Sequence, residues 1–309
     1  MPLFLILITL AFGACAGPVS ASNPSTASTP EDTEKSERTA KGTPPASKSK
    51  FYTEPYTPPS HRKETSIGAL IVDCERHLRT WQEAMARSRT PENAETIHWT
   101  EAALATVVNR DRQKLEQEAA TGPPRNRAIA SAALGFAPGP RTLTFLLNNL
   151  SSEEPIVLAN TLLGIGAMSD AETPLNFLAD ILLKEDLPQS VIVNGIFAGH
   201  RLAAKLRDDP GGHLSRLFLG YIDFPDTGVR AQAASGLGLT RSGIAVEALA
   251  QSLRGDSEPL VRTAAAFALG EIGSLAGISA LKAAQKDPSI EVVGVAEGSL
   301  RKIQRAQKP

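Results

Sequence analysis

Between positions 261 and 270 the chain reads Val261-Arg262-Thr263-Ala264-Ala265-Ala266-Phe267-Ala268-Leu269-Gly270, and positions 229–238 read Val229-Arg230-Ala231-Gln232-Ala233-Ala234-Ser235-Gly236-Leu237-Gly238. Four further copies of this pattern begin at Asn126, Val157, Ser190 and Val292, so the intervals between copies are 31, 33, 39, 32 and 31 residues. Self-similarity at a period of about 30–40 residues is typical of proteins that stack one supersecondary unit many times. The sequence therefore predicts a series of like units over residues 123–309.

Each copy of the pattern predicts a helix. Proline indicates where the helix begins, and a recurring glycine indicates either its end or a close contact. Proline stands two positions before the first residue of four copies, where a helix tolerates a residue that has no backbone donor. Glycine stands nine positions after the first residue in five copies: Gly135, Gly166, Gly199, Gly238 and Gly270. Because a glycine inside a helix costs roughly 1 kcal/mol relative to alanine, its recurrence indicates either a helix end or a backbone contact that a Cβ would block.

A second amphipathic helix is predicted after each glycine. In the first unit its apolar residues are Leu143, Leu146, Leu147 and Leu150, which share one helical face. No copy shows the alternation of apolar and polar residues that is typical of strands. A helical hairpin of this kind cannot bury its apolar face alone and must stack on its neighbours. We expect an all-α fold, a right-handed α-solenoid of about five to six hairpins.

The best copies resemble a known repeat family. The segment Asp256-Ser257-Glu258-Pro259-Leu260-Val261-Arg262, with the small and apolar residues that follow it to Gly273, is similar to a HEAT repeat. The resemblance is closest to the short subclass that is also found in phycobilin lyases, and it covers residues 123–309. It implies HEAT-like hairpins that bind a protein or peptide. It also implies that Arg127, Arg230 and Arg262, which recur at one position of the repeat, connect neighbouring units.

The N-terminal segment, residues 1–17, has the composition of a signal peptide. It resembles a bacterial lipoprotein signal whose cleavage motif is Phe12-Gly13-Ala14-Cys15, which makes Cys15 the lipidated first residue. Cleavage after Ala16 or Ala21 would instead release a soluble periplasmic or secreted protein. We expect export, with a membrane anchor through Cys15 that faces the periplasm or the cell exterior.

Two segments separate this signal from the repeats. Residues 18–63 are rich in proline, serine and threonine and are predicted to be a disordered linker. A flexible chain of about 50 residues would span on the order of 35–45 Å. Residues 64–122 are predicted to form a capping pair of longer helices, from Ser66 to Arg89 and from Thr90-Pro91-Glu92 to Ala119. This hairpin would cover the first repeat; a separate helical binding module is the alternative.

Charge and histidine content limit the function. The net charge is −1, and residues 123–309 carry 18 basic and 18 acidic side chains, so nothing favours nucleic acid as a partner. No run of apolar residues is long enough for a transmembrane helix. The HEAT-repeat deoxyhypusine hydroxylases hold two irons through repeated His-Glu pairs, and this chain has no His-Glu dipeptide. We predict no metal site, no cofactor and no catalytic residue.

Cys74 lies on an apolar helical stripe and is expected to be buried. The alternative is that its thiol is reactive or forms an intermolecular bond.

A curved stack of hairpins has a concave face that is lined by the second helices, and such faces bind peptides or protein surfaces. Helical phase places several polar and aromatic residues there, off the apolar stripe. The candidate binding residues are Arg141, Phe145, Asn148, Phe177, Lys184, His213 and Arg216, with Asn149 beside them. We therefore expect a protein-interaction scaffold of the bacterial cell envelope. A bilin-lyase-like enzyme and a purely structural assembly subunit are the alternatives.

Overall fold

The computed structural model describes residues 65–87 and 90–307, and all the regular structure in these residues is helical. The predicted signal segment with Cys15 and the predicted linker lie outside the described residues. The helices are α1 Ile67–Met85, α2 Pro91–Thr121, α3 Pro124–Leu134, α4 Thr142–Asn149, α5 Pro155–Met168, α6 Leu175–Leu182, α7 Gln189–Leu206, α8 His213–Tyr221, α9 Thr227–Thr240, α10 Val246–Gly255, α11 Pro259–Ile272, α12 Ile278–Ala283 and α13 Ile290–Ala306. Short 3₁₀ turns precede α10 and α12, and another follows α12.

The repeats form an α-solenoid, which confirms the predicted fold class. Helices α3, α5, α7, α9, α11 and α13 are the first helices of successive units, and each packs against the first helix of the next unit. Helices α4, α6, α8, α10 and α12 are the second helices. One apolar core extends from Leu146 in the first unit to Ile303 in α13. The units thus share a single buried seam, because no hairpin could bury its apolar face alone.

The recurring glycines lie where neighbouring first helices touch. A Cβ at Gly238 would stand 2.5 Å from the Cα of Ala268, and a Cβ at Gly270 would stand 2.9 Å from the Cα of Ser299. A Cβ at Gly135 would meet the backbone of Gly164, whose Cα would be 2.7 Å away. Carbon atoms in contact are normally about 3.5–4.0 Å apart. Close approach of neighbouring first helices therefore explains Gly135, Gly166, Gly238 and Gly270, of which Gly135 also ends α3.

The third unit begins one residue later than the sequence predicted. Val191 is fully buried, as are the first residues Val157, Val229, Val261 and Val292 of four other units, whereas Ser190 is exposed. Gly166 of the second unit faces Ala198, which lies seven positions after Val191, and this spacing matches the contact of Gly238 with Ala268. The residue nine positions after Val191 is then His200, and not Gly199. The prediction was wrong here because a glycine happens to stand next to the true position.

His200 takes the place of the contact glycine between the third and fourth units. Its Nε2 lies 3.1 Å from the Oγ of Ser235 in α9, so a polar contact replaces direct backbone packing. Burial, together with a smaller effect of the neighbouring positive charge of Arg201, lowers the pKa of His200 to about 4. The imidazole is therefore neutral at physiological pH.

Helices α1 and α2 form a hairpin that packs on the first helices. Thr90 Oγ1 accepts a hydrogen bond from the backbone of Asn93 at 3.2 Å, and Pro91 occupies the first turn of α2. The hairpin was expected to cover the first unit, but it extends further. The ring of Trp81 lies 5.1 Å from that of Phe136 and 5.9 Å from that of Phe197 in the third unit. A second apolar core fills this interface.

Two further features of the helices concern their geometry and length. Helix α2 is kinked at Asp111, whose φ of −120° and ψ of 27° are not helical. Sequence reasoning did not predict the kink. Within the described residues, no helix is both long enough and apolar enough to cross a lipid bilayer.

Candidate binding surface

The second helix of the first unit, α4, presents a paired cation and aromatic ring. The Oγ1 of Thr142 accepts a hydrogen bond from the backbone of Gly139 at 2.8 Å, which fixes the start of the helix. Leu146 and Leu150 face the core. On the outer side the guanidinium carbon of Arg141 lies 4.9 Å from the centre of the Phe145 ring, within the distance of a cation–π contact.

Helix α6 of the second unit carries an exposed aromatic ring. Leu175, Leu178 and Leu182 are buried, as the apolar stripe predicted, whereas Phe177 is 37% exposed. Lys184 is also exposed. The ring of Phe177 thus stands at the surface although the core is fully packed behind it, which is the arrangement of an anchor residue rather than of a core residue.

Helices α6 and α8 are joined at the same surface. The Nη2 of Arg216 in α8 donates to the Oδ1 of Asp180 in α6 at 2.6 Å. The hydroxyl of Tyr221 donates to the carbonyl oxygen of Leu182 beneath this pair. His213, at the start of α8, is half-buried. We call this outer side of α4, α6 and α8 the second-helix face; its predicted residues are Arg141, Phe145, Asn148, Phe177, Lys184, His213 and Arg216.

The prediction for Asn149 was wrong, because this residue is only 4% exposed. Its Nδ2 donates to the carbonyl oxygen of Ala119 at 2.7 Å and to the Oγ of Ser131 at 2.9 Å. Its Oδ1 accepts from Arg127 at 2.8 Å. The side chain therefore joins α2, α3 and α4 and does not reach the surface.

The second helices of the fourth and fifth units offer a different surface. The described residues of these two helices include no exposed aromatic ring. Apart from Ala283, their exposed side chains are polar or charged: Glu247, Gln251 and Arg254 in α10 and Ser279 and Lys282 in α12. Aromatic residues that could anchor a partner are thus confined to the first units. The second-helix face is uneven along the solenoid, with its apolar contact points near the N-terminal end of the repeats.

The recurring arginines connect successive units, as the family resemblance implied. Arg230 donates from Nε and Nη2 to both carboxylate oxygens of Asp256, at 2.8 and 3.1 Å, and Arg262 does the same to Asp287 at 2.8 and 2.9 Å. Arg262 lowers the pKa of Asp287 through this hydrogen-bonded pair. The sequence analysis did not identify Asp256 and Asp287 as partners of these arginines, although each stands five positions before the first residue of the next unit.

Arg127 differs from the other two arginines because no acidic side chain of the described residues pairs with it. Its Nη2 donates to Asn149 at 2.8 Å, and its buried Nε makes no hydrogen bond among the described residues. Ser152 occupies the repeat position that Asp256 occupies in the fourth unit. The Oγ of Ser152 accepts a hydrogen bond from the backbone N–H of Glu154, and a carboxylate oxygen of Asp256 likewise accepts one from the backbone N–H of Glu258. The first link of the ladder is therefore incomplete.

The remaining candidates for chemistry are dispersed. Cys74 is buried in α1, and burial together with the nearby charge of Asp73 raises the pKa of its thiol to about 12. Such a thiol is almost entirely protonated at neutral pH and is a poor nucleophile. In the part of the chain that the structure describes, no three histidine, cysteine or acidic side chains lie close enough to hold a metal ion.

Comparison with known structures finds helical-repeat proteins at low identity. The complex of CpcE and CpcF of phycocyanin lyase from a Nostoc species is 16% identical, with a TM-score of 0.38, covering 83% of this chain and 94% of that one. Human deoxyhypusine hydroxylase is 17% identical, with a TM-score of 0.30 and coverages of 77% and 98%. An engineered protein is 20% identical, with a TM-score of 0.43 and coverages of 75% and 97%. Nothing about binding or activity is inferred from these likenesses.

Comparison at the level of sequence identifies the repeat. No curated protein matches the chain. Residues 216–301, from α8 into α13, match the family model described as HEAT repeats. This segment contains the two complete arginine–aspartate links and the close contacts of Gly238 and Gly270. The segment from α8 into α13 is thus similar in sequence to HEAT repeats.

Proposed function

We propose that this protein is an exported, lipid-anchored scaffold of the bacterial cell envelope that holds a protein partner on its second-helix face. The observation that carries the proposal is a pair of aromatic residues on neighbouring second helices: the exposed Phe177 on α6, and the half-buried Phe145 on α4, whose ring lies against the exposed Arg141. Aromatic side chains and arginine are the residues that most often dominate the energetics of protein interfaces.

The location of the α1–α2 hairpin supports the choice of face. Trp81 packs against Phe136 and Phe197, so the hairpin covers the first helices of the first units. Phe177 on α6 and Arg141 at the start of α4 remain exposed. A partner that approaches these units would therefore meet the second helices first.

The N-terminal sequence supports the proposed location. The segment Phe12-Gly13-Ala14-Cys15 resembles a lipoprotein cleavage motif, and the residues between Cys15 and α1 are long enough to hold the repeats away from a membrane. A single acyl group gives marginal membrane binding, and stable anchoring requires a second acyl chain or another signal. Bacterial lipoprotein anchoring through Cys15 would supply such chains.

Binding is tested with a double variant, Phe145→Ala with Phe177→Ala, and a matched control, Ile244→Ala with Leu275→Ala. The control residues are also exposed, at 70% and 63%, but they lie in the turns of the fourth and fifth units. Partners captured from an envelope extract are identified for the wild type, and their affinities are measured with purified proteins. We expect the double variant to weaken binding by about 30-fold or more, since a central anchor contributes about 2 kcal/mol. Equal binding by wild type and double variant would remove the second-helix face from the proposal.

The anchor is tested separately with Cys15→Ser. Acyl labelling and fractionation are carried out on wild type and variant in the same cells. We expect the wild type to incorporate the label and to sediment with membranes, and the variant to do neither. If both fractionate as soluble protein, the proposed anchor is wrong, whatever the second-helix face binds.

A further inference from the structure

A cavity lies between the α1–α2 hairpin and the C-terminal ends of the first helices α3, α5 and α7. Its volume is about 370 Å³, within the range of about 300–1,000 Å³ that is usual for small-molecule sites. Three of its wall residues are the aromatic rings of Trp81, Phe136 and Phe197, and Met85 and Ile97 extend the apolar wall. Trp81 stands nearly perpendicular to Phe136, at 84°, so these rings form a corner rather than a stack.

Two opposite charges line the same cavity. Glu101, on α2, is held at the wall by a hydrogen bond from the Nε1 of Trp81 to its Oε1 at 3.0 Å. Arg201, on α7, donates from Nε to the carbonyl oxygen of Gly166 at 3.4 Å. Sequence reasoning singled out neither residue, because they belong to different units and meet only in the folded chain.

The two charges do not pair with each other or with another charged group of the described residues. Opposite charges do form ion pairs elsewhere in the solenoid, for example between Arg230 and Asp256, whose Nε and Oδ2 atoms are 2.8 Å apart. Glu101 and Arg201 form no such pair within the 4.0 Å that defines one. Both side chains are exposed, so a bound molecule can reach either charge. A molecule that carries an ammonium and an acidic group would pair with both charges at once.

We propose that this cavity binds a small zwitterion with an apolar body, of the chemical class to which free apolar amino acids belong. The ammonium group lies at Glu101, the acidic group lies at Arg201, and the apolar body packs on Trp81, Phe136 and Phe197. The aromatic corner also favours the ammonium end, because ring faces attract cations. The site is separate from the second-helix face.

The chain carries a built-in reporter for this site. It has two tryptophans, of which Trp81 lines the cavity and Trp99 is 64% exposed. In a Trp99→Phe variant of the full chain, the fluorescence of Trp81 is titrated with phenylalanine. We expect a saturable change with a dissociation constant in the range of about 0.01–1 mM. Two analogues each lack one charge: hydrocinnamate has no ammonium group, and phenethylamine has no carboxylate. Each is expected to bind at least about tenfold more weakly than phenylalanine, because it loses a hydrogen bond to a charged group.

Matched variants assign each charge. Glu101→Gln is compared with Glu95→Gln, whose carboxylate accepts a hydrogen bond from Trp99 at 3.2 Å on the same helix. Arg201→Gln is compared with Lys205→Gln, which is exposed one turn later in α7. Binding is measured by calorimetry, because Glu101→Gln also changes the surroundings of Trp81. We expect each cavity variant to weaken phenylalanine about tenfold and each control to leave it unchanged.

A variant that fills the cavity without changing charge completes the test. Ala167 lines the cavity, and Ala167→Leu is compared with Ala120→Leu at an exposed position of α2. We expect loss of binding only for the first, with unchanged far-ultraviolet circular dichroism for both. The proposal is overturned if phenylalanine and leucine give no saturable signal up to roughly 10 mM. It is also overturned if hydrocinnamate binds as well as phenylalanine, or if the cavity variants bind like their controls.

Discussion

Replacing Gly238 with alanine tests whether the first helices of neighbouring units touch through their backbones. In a helix that makes no such contact, this change is stabilising by about 1 kcal/mol, because alanine is the better helix former. Here the added Cβ would lie 2.5 Å from the Cα and 2.9 Å from the Cβ of Ala268 in α11. The two effects oppose each other, so the sign of the result is informative.

The expected magnitude follows from the overlap. Carbon atoms pack at about 3.5–4.0 Å, so α9 and α11 would have to separate by about 1 Å. Overpacking of this kind costs typically about 1–3 kcal/mol, and we expect the upper part of that range because a backbone atom cannot move aside as a side chain can. After subtraction of the helix-forming gain, Gly238→Ala should lower the free energy of unfolding by about 2 kcal/mol. For a domain of this size the melting temperature should fall by about 4–8 °C.

The control is Gly298→Ala in α13, where a Cβ would meet nothing within 4 Å. This variant should raise the free energy of unfolding by about 0.5–1 kcal/mol, because only the helix-forming gain remains. Thermal and urea unfolding of both variants are followed by far-ultraviolet circular dichroism. If Gly238→Ala proves as stable as the wild type or more stable, the helices do not approach as closely as described, and the reasoning about the recurring glycines is refuted.

Three further predictions concern charge and the buried thiol. Asp287→Asn should lower the free energy of unfolding by about 2–3 kcal/mol at neutral pH, because it removes a paired carboxylate. Since Arg262 lowers the pKa of Asp287 in the folded state, this loss of stability should be complete above the unfolded pKa of about 3.9 and should shrink as the pH falls below it. Urea titrations at a series of pH values measure the loss. Ser152→Asp should give Arg127 an acidic partner and raise the free energy of unfolding by about 0.5–1 kcal/mol; a lower melting temperature would contradict the proposed equivalence with Asp256. In a Cys15→Ser background, Cys74 should not react with a thiol reagent until the chain is unfolded, because its thiol is buried and its pKa is raised to about 12. Rapid labelling of the folded protein would show that α1 opens.

The repeats could be predicted from the sequence because their signals are local. The apolar stripes of α6, α8 and α10 lie in the core as their spacing indicated, and α2 begins at Thr90 and Pro91. These features depend on helical periodicity and on capping chemistry within a few residues. The kink at Asp111 has no comparable local signal.

The features that were missed depend on contacts between distant segments. The start of the third unit was misplaced by one residue because Gly199 stands beside His200, and only the contact of Gly166 with Ala198 reveals the correct position. Asn149 was placed at the surface by helical phase, but its amide bonds to Ala119 and Ser131. The cavity between hairpin and repeats was not foreseen, since its walls come from four helices and the turn after α3.

Site-specific photocrosslinking in living cells tests the proposed binding face most directly. A photoreactive amino acid is placed at Phe145 or Phe177, and for comparison at Ile244 or Leu275, which are more exposed and lie on the fourth and fifth units. The account predicts that one and the same protein is captured from both positions of the second-helix face and from neither comparison position. Capture of that protein from the comparison positions alone, or of no protein from Phe145 and Phe177, would contradict it.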